Sequence, residues 1–347
     1  MTGVVNSPWE RAESKINRLL ERVAENDEGP IQGVIIEEPF GYGSNRFLDR
    51  LARLKQVNGL PNPAYLSSRH DNITDWPSLA VEILSAAFLV DASHGMERQD
   101  LVNRRNAFGE AAFRDAMDEL IQEKLLEHGR LDLFIPNLDV LLEKLVPNDH
   151  WAFRNILQTL PLAVVATAAA GWRPTRDDAF YEFFNRTTPE GYLETDLAHL
   201  AKKAGLKKTD SQALQSLASE MSGRPSLVES AVMALSVDPL ADTQTILRSV
   251  ANTAAPSLHA TLANTAKQEL LVLSAIVKLG TPIGSGEIAE ITGLRTGAVA
   301  THLSRLVGNG LLSVDKLRGR NRKYQFSDPV FGVLYAALST DVSRWSK

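Results

Sequence analysis

The chain has no cysteine among its 347 residues. A disulfide framework, a thiolate zinc site and a cysteine nucleophile are therefore excluded, and a reducing compartment, the cytoplasm, is the expected location. No apolar run approaches the ~20 residues of a membrane-spanning helix, so a membrane is not an expected partner. The opening is polar and then charged from Trp9 to Glu25, which is not the basic-then-apolar order of a secretory signal. The seven histidines never fall at H-x-x-x-H or H-E-x-x-H spacing, so no metal site is expected. No G-x-S-x-G elbow is present, and the acidic pairs Glu37-Glu38 and Asp177-Asp178 are neighbours whose side chains diverge. No catalytic residue is nominated. Aromatics make up only 7% of the chain, and the five tryptophans lack basic clusters beside them; they are read as core or interface anchors, not base-stacking platforms.

What is present is the composition of a globular protein, 44% apolar and 23% charged, long enough for two or three domains. Gly33 to Glu37 is short and β-branched, and Pro39-Phe40-Gly41 follows it, the signature of a buried strand feeding a turn. Arg46 to Lys55 places Phe47, Leu48, Leu51 and Leu54 on one helical face. Further strands are expected at Ala64 to Ser67, Leu131 to Ile135, Leu162 to Thr167 and Tyr181 to Phe184. Helical periodicity separates them at Trp76 to Leu89 and about 98 to 128. Strands alternating with helices predict an α/β domain around a mainly parallel, covered sheet. From Leu193 to Ala254 the pattern is all helical, and the Ala255-Pro256 step predicts a linker, because proline has no N–H with which to continue a helix.

Charge divides unevenly along the chain. Lys267 to Lys347 holds 11 basic and 6 acidic residues, a balance of +5, so the net charge of −5 leaves −10 on the first 266. An acidic body with a basic C-terminal part predicts that a polyanion binds at that end. Ser285 to Thr292 and Thr296 to Leu306 form two short helices about the turn Gly293-Leu294-Arg295, with Val299, Leu303 and Leu306 inward, a helix-turn-helix pattern. Two strands follow, and Asp315 to Lys323 between them carries five basic residues among nine. A basic hairpin tip beside a helix-turn-helix is the layout of a winged helix. The second helix of such a motif enters the major groove, making Arg295, Thr296, Thr301, His302, Ser304 and Arg305 the candidates for base edges. Lys316, Arg318, Arg320, Arg322 and Lys323 are the candidates for phosphates or an adjacent minor groove. Use of the same module for protein contact is the alternative.

The turn after the first strand has the place and shape of a phosphate-binding loop without its chemistry. A working loop reads G-x-x-x-x-G-K-[ST], with glycines that free backbone N–H groups for phosphate, a lysine for the β and γ phosphates and a hydroxyl for magnesium. Here Glu38 stands at the first glycine, Ser44 at the lysine and Asn45 at the hydroxyl.

Together with the strand Leu131 to Ile135 and the following Asn137-Leu138-Asp139, the helical segment and the terminal winged helix, this loop resembles prokaryotic AAA+/STAND-type ATPases related to origin-recognition ATPases, over about residues 10 to 335. The family's loop resembles G-P-F-G-S-G-K-S-R-F-L, of which Pro39, Phe40, Gly41, Gly43, Arg46, Phe47 and Leu48 are kept. The family's second motif ends an apolar strand in Asp-Glu or Asp-Asn, where this chain has Pro136-Asn137. Thr167 resembles a sensor of the γ-phosphate and equally reads as an ordinary strand-end threonine. Arg224, in Ser222-Gly223-Arg224-Pro225, resembles the second sensor in the lid, or braces the lid where no nucleotide is sensed. Gly41, Gly43, Ser44, Asn45, Arg46, Pro136, Asn137, Thr167 and Arg224 thus outline a degenerate nucleotide site.

The resemblance implies an N-terminal helical segment (1–30), a P-loop AAA+-like core (31–190), a helical lid (191–258) and a winged-helix domain (259–347). The expected function is that of a pseudo-ATPase that binds double-stranded DNA, with no cofactor, while its core docks on a protein partner such as an active ATPase or a nuclease. Self-association into a homo-oligomer is a further candidate. Regulation, replication, a mobile element and phage defence all fit. A protein-only scaffold, and a switch gated by residual ATP or ADP binding, are the alternatives.

Overall fold

The computed structural model describes residues 7–25, 33–57, 63–67, 69–88, 107, 109–128, 131–160, 162–279, 282–316 and 322–339. The chain divides into two compact units, Asn6–Glu190 and Gly191–Lys347.

In the first unit the β-branched run becomes β1 (Gly33–Glu38), preceded by α1 (Pro8–Glu25) and followed by α2 (Ser44–Val57). Then come β2 (Pro63–Tyr65), α3 (Trp76–Phe88), α4 (Glu110–His128), β3 (Leu131–Ile135), α5 (Leu138–Lys144), α6 (Pro147–Thr159), β4 (Leu162–Ala169) and β5 (Asn185–Thr187). All pairings are parallel in the order β2-β3-β4-β1-β5. The central strands are largely apolar because both faces are covered. Ile35, Leu133, Ile135 and Val164 point into one cluster with Trp76, Leu79 and Phe153. Their neighbours Val34, Ile36, Phe134 and Val165 point into the other, with Trp9, Phe47 and Leu48. This is the two-residue alternation of a strand.

Two expectations need correction here. Tyr181 to Phe184 is not a strand: Phe180, Phe183 and Phe184 pack on one another as an aromatic knot, and Glu182 has a left-handed backbone at φ 49°. The strand forms just after it, where Asn185–Thr187 pairs with Val34–Ile36. The second strand is shorter than expected, ending at Tyr65. The long helix before β3 is α4, and residues 98 to 106 of the expected stretch lie outside the described residues.

The second unit begins with α7 (Glu194–Lys203), α8 (Lys208–Glu220), α9 (Pro225–Val237) and α10 (Thr243–Leu262). The linker expected at Ala255-Pro256 is absent, because α10 runs through it. Pro256 is exposed, and the helix is held on both sides of it by the buried Val250, Ala251, Leu258 and Leu262. Packing of that face outweighs the one backbone bond the proline removes. After α10 follow α11 (Lys267–Leu279), β6 (Ile283–Gly284), α12 (Ser285–Thr292), α13 (Thr296–Gly308), β7 (Leu312–Lys316), β8 (Arg322–Phe326) and α14 (Pro329–Ser339). The two-residue β6 completes a three-stranded antiparallel sheet, β6-β8-β7. Among the described residues no helix is long and apolar enough to cross a membrane.

Candidate functional site

At the carboxyl ends of β1, β3 and β4 the structure brings together most of the loop and strand-end positions. This is where open parallel sheets hold their ligands. The loop after β1 is closed by Tyr42 N–H to the Pro39 carbonyl at 3.2 Å, with Gly41 and Gly43 at φ 80° and 73°. Those left-handed angles are why glycines stand there. Ser44 is fully buried, its hydroxyl 3.5 Å from the Glu37 carbonyl. Arg46 lies exposed on the solvent face of α2, between the buried Ser44 and Phe47.

Asn45, Asn137 and Thr167 form a closed ring of hydrogen bonds. Asn45 Nδ2 donates to Asn137 Oδ1 at 2.8 Å, the Asn137 N–H donates to Thr167 Oγ1 at 2.8 Å, and the Thr167 hydroxyl donates to Asn45 Oδ1. Thr167 is fully buried, and β4 continues two residues past it, so it is not the end of its strand. Asn137 holds a left-handed backbone at φ 54°. Each partner satisfies another, so the polar groups at the hydroxyl position, beside the aspartate position and at the sensor-like position are bonded within the protein.

Glu38 is legible in the sequence only as a lost glycine. Its carboxyl lies near the start of α2 and near Asp139. Burial pushes the carboxyl above the usual range; the Asn45 amide opposes this, the nearby Asp139 carboxylate adds to it, and the Ser44 amide opposes it again. Glu37 diverges from it as expected of neighbours in a strand, bonding Arg173 at 2.7 Å, Arg186 at 3.4 Å and Thr188 at 3.2 Å.

Pro136 is buried, and its carbonyl accepts from His70 Nε2 at 2.6 Å. His70 is 2% exposed, with a left-handed backbone at φ 50° and Nδ1 without a partner. Lys144 donates to the Arg69 and His70 carbonyls at 2.9 and 2.8 Å and fixes that turn. Burial is the main cause that lowers the His70 pKa from 6.5; Lys144 lowers it further, while the Pro136 carbonyl, Asp71 and the Asn137 backbone raise it. A depressed histidine contributes stability above its unfolded pKa that is lost as pH falls through the folded one. Denaturation at pH 7.5 and at pH 5 is therefore expected to show a loss that His70→Gln reduces, by up to about 1.4 kcal/mol per pH unit. Parallel profiles for the two proteins would contradict this.

Arg224 belongs to the second unit, where it is a brace. Its guanidinium makes a two-pronged pair with Asp328, both distances 2.7 Å, and the Arg224 side chain is 11% exposed. The same carboxylate accepts the N–H groups of Val330 and Phe331 and caps α14. Gly223 beside it adopts φ 65°, and a Cβ there would meet the Tyr192 carbonyl at 2.8 Å.

The helix-turn-helix face is the other candidate. Arg295, Thr296, Thr301, Ser304 and Arg305 are exposed on α13 or at its start, with Gly297 and Ala300 between them. His302 must be removed from the expected set. It shares the inward stripe of Val299, Leu303 and Leu306, 8% exposed, with Nε2 2.9 Å from Gln268 Oε1 and Nδ1 3.7 Å from Glu269. Arg322 is exposed on β8, and Lys323 lies 3.6 Å from Glu287. Arg318 and Arg320 lie outside the described residues, as does the side chain of Lys316.

No protein-family model and no curated protein matches the chain. Among solved structures, a Walker-type ATPase of Pyrococcus abyssi superposes with a TM-score of 0.57 at 13% identity, over 93% of this chain and 95% of that one. The fold is that of a Walker-type ATPase. The Orc1 protein of Aeropyrum pernix, solved in complex with DNA, gives a TM-score of 0.48 at 17% identity over 98% and 95% of the two chains. Cdc6p of Pyrobaculum aerophilum gives 0.41 at 14% identity over 100% and 98%.

A Walker-type fold implies a nucleotide with magnesium, and the residues present do not fit one. The transferred phosphate needs a lysine beside it and the metal needs an aspartate; Ser44 and Pro136 stand there. Among the described residues no group of His, Asp and Glu has a metal-holding arrangement.

Proposed function

We propose that the chain is a non-hydrolysing AAA+-like DNA-binding protein. The α12–α13 pair and the β7–β8 hairpin act as a winged helix on duplex DNA, and the Walker-type core serves as a protein-docking scaffold. The observation that carries the DNA reading is the exposed face of α13. Small residues, Gly297, Ala300, Thr301 and Ser304, let the helix approach closely, while Arg295 and Arg305 supply cations toward either end. Such a face suits a helix laid in the major groove, with hairpin cations on the phosphates. The cations are not all equally available: Arg305 is 63% exposed although 3.9 Å from Glu269.

Docking on protein is supported by exposed apolar side chains in both units. Trp151 and Val146 are 51% and 56% exposed in the first, and Met233, Val237 and Leu240 are 70%, 86% and 95% exposed in the second. Single exposed apolar residues are ordinary, but such groups mark interaction surfaces. An active ATPase or a nuclease is the partner proposed for the core, since a Walker-type scaffold with substituted chemistry suits a fixed place in an assembly.

The test is duplex-DNA binding by electrophoretic shift at 50 and 200 mM salt. Phosphate-borne binding is expected to weaken by at least about tenfold between them. Absence of a shift at 50 mM favours the protein-only scaffold.

A further inference from the structure

The chain before Lys267 is acidic as a whole, yet one stretch of it is strongly basic. Residues 197–209 contain no acidic residue and four lysines, Lys202, Lys203, Lys207 and Lys208. They span the turn from α7 to α8 in the second unit. Lys202, Lys203 and Lys207 are exposed, and Lys202 and Lys203 form no ion pair among the described residues. The nearest acid before them, Asp196, is buried and accepts the Leu193 N–H at 2.8 Å. The backbone of the turn is fixed. The Leu206 N–H donates to the Ala201 carbonyl at 3.0 Å and the Gly205 N–H to the Lys202 carbonyl at 3.1 Å, with Gly205 at the left-handed φ of 72° that such a helix end requires.

Helix electrostatics accounts for only half of this cluster. Lys202 and Lys203 close α7, where a cation meets the negative end of the helix dipole. Lys207 and Lys208 open α8, where the end is positive and a cation is disfavoured. Residues that break a local rule in this way are expected where function needs them. Protein interfaces are carried by aromatic and arginine anchors and are depleted in lysine, and residues 197–209 hold no Phe, Tyr, Trp or Arg. Flexible point charges suit a phosphate backbone instead.

We infer that the α7–α8 turn is a second phosphate-contacting surface for duplex DNA, apart from the winged helix. The inference rests on the DNA reading above and extends the contact to the helical segment. Both surfaces lie in one compact unit. The ten residues of α7 make it ~15 Å long. At its start the Tyr192 N–H donates to the Gly223 carbonyl at 2.7 Å, beside Arg224, whose guanidinium holds Asp328 at 2.7 Å just past the end of β8. The path from the lysines to the base of the hairpin is on the order of one turn of duplex, ~34 Å. A single duplex of a few turns can therefore reach both.

The experiment is duplex-DNA binding by the full chain, followed by fluorescence anisotropy from about 50 to 200 mM salt. Wild type is compared with a variant carrying Lys202→Ala, Lys203→Ala and Lys207→Ala, and with one carrying arginine at the same three positions. Melting curves check that each variant folds. The alanine variant is expected to bind about tenfold more weakly at low salt and to lose about two to three units of the slope of log K on log salt. The arginine variant keeps the charges and is expected to keep the affinity and the slope. An alanine variant with an unchanged slope, beside a wild type that binds, overturns the inference; it leaves DNA on the winged helix and makes an acidic protein the partner of the lysines. An arginine variant that loses as much as the alanine one also overturns it, since charge is then not the cause. If the alanine variant does not fold, Lys202→Ala with Lys203→Ala decides by the same measure: a slope lower by about one to two units supports the inference and an unchanged slope overturns it. A wild type that binds no duplex overturns this inference together with the DNA reading.

Discussion

Replacing Arg318, Arg320, Arg322 and Lys323 together with alanine is expected to weaken duplex-DNA binding by about 10²-fold at low salt, and to flatten the dependence of log K on log salt by about three to four units. Each cation that meets a phosphate releases a condensed counterion, so the change in slope reports how many phosphates these four side chains neutralise. The four residues are not equivalent. Arg322 is exposed, whereas Lys323 is 3.6 Å from Glu287, a carboxylate that also accepts the Gly284 N–H at 2.9 Å. Arg322→Ala alone is therefore expected to reduce affinity more than Lys323→Ala. Substitution of Thr301 and Ser304 on α13 acts differently, through base edges and groove fit, and changes sequence preference with little effect on the slope. An unchanged salt slope in the quadruple variant places the DNA site elsewhere.

Arg224→Ala is expected to destabilise the second unit by about 2–4 kcal/mol. Removing one partner of a partly buried, hydrogen-bonded ion pair strands the other, and Asp328 is tied to the α14 N-terminus by the Val330 and Phe331 amides. A loss of that size corresponds to roughly 5–15 °C in melting temperature for a unit of this size. Arg224→Lys is expected to recover only part of it, since an ammonium cannot make the two-pronged contact. A double-mutant cycle with Asp328→Ala measures the coupling. A melting temperature that stays within ~1 °C contradicts the bracing role.

The parts of the fold that can be read from the residues are those in which one local signal agrees with tertiary packing. β1 and β3 are legible because they are apolar runs of the right length between turn signals. The helix-turn-helix is legible because Val299, Leu303 and Leu306 repeat at helical spacing and Gly293 stops α12 with φ 68°. The misreadings share a cause: a local chemical preference is outweighed by a neighbour distant in sequence. His302 has the chemistry of a surface donor, but its position three residues after Val299 places it inward and Gln268 satisfies it there. Pro256 has the chemistry of a break, but its ring faces solvent on a helix anchored on the other side. The run Tyr181 to Phe184 has strand-like residues, yet Phe183 and Phe184 pack on Phe180, which is itself held against the distant Phe153, instead of alternating along a strand.

The candidate nucleotide site is legible as a set of positions but not as an arrangement. Asn45, Asn137 and Thr167 are 92, 30 and 122 residues apart pairwise, and nothing local announces that their polar groups close on one another. Glu38 is the clearest case. In the sequence it marks a glycine that is missing; in three dimensions its carboxyl lies near that of Asp139, a hundred residues on, which no local signal announces.

The proposal that the core holds no nucleotide is most directly tested by calorimetric titration of the wild-type chain with ATP and magnesium. No heat beyond dilution is expected into the millimolar range, because the lysine and aspartate are replaced and Asn45, Asn137 and Thr167 are bonded to one another. Micromolar, magnesium-dependent binding would show instead that the loop still works as a nucleotide site.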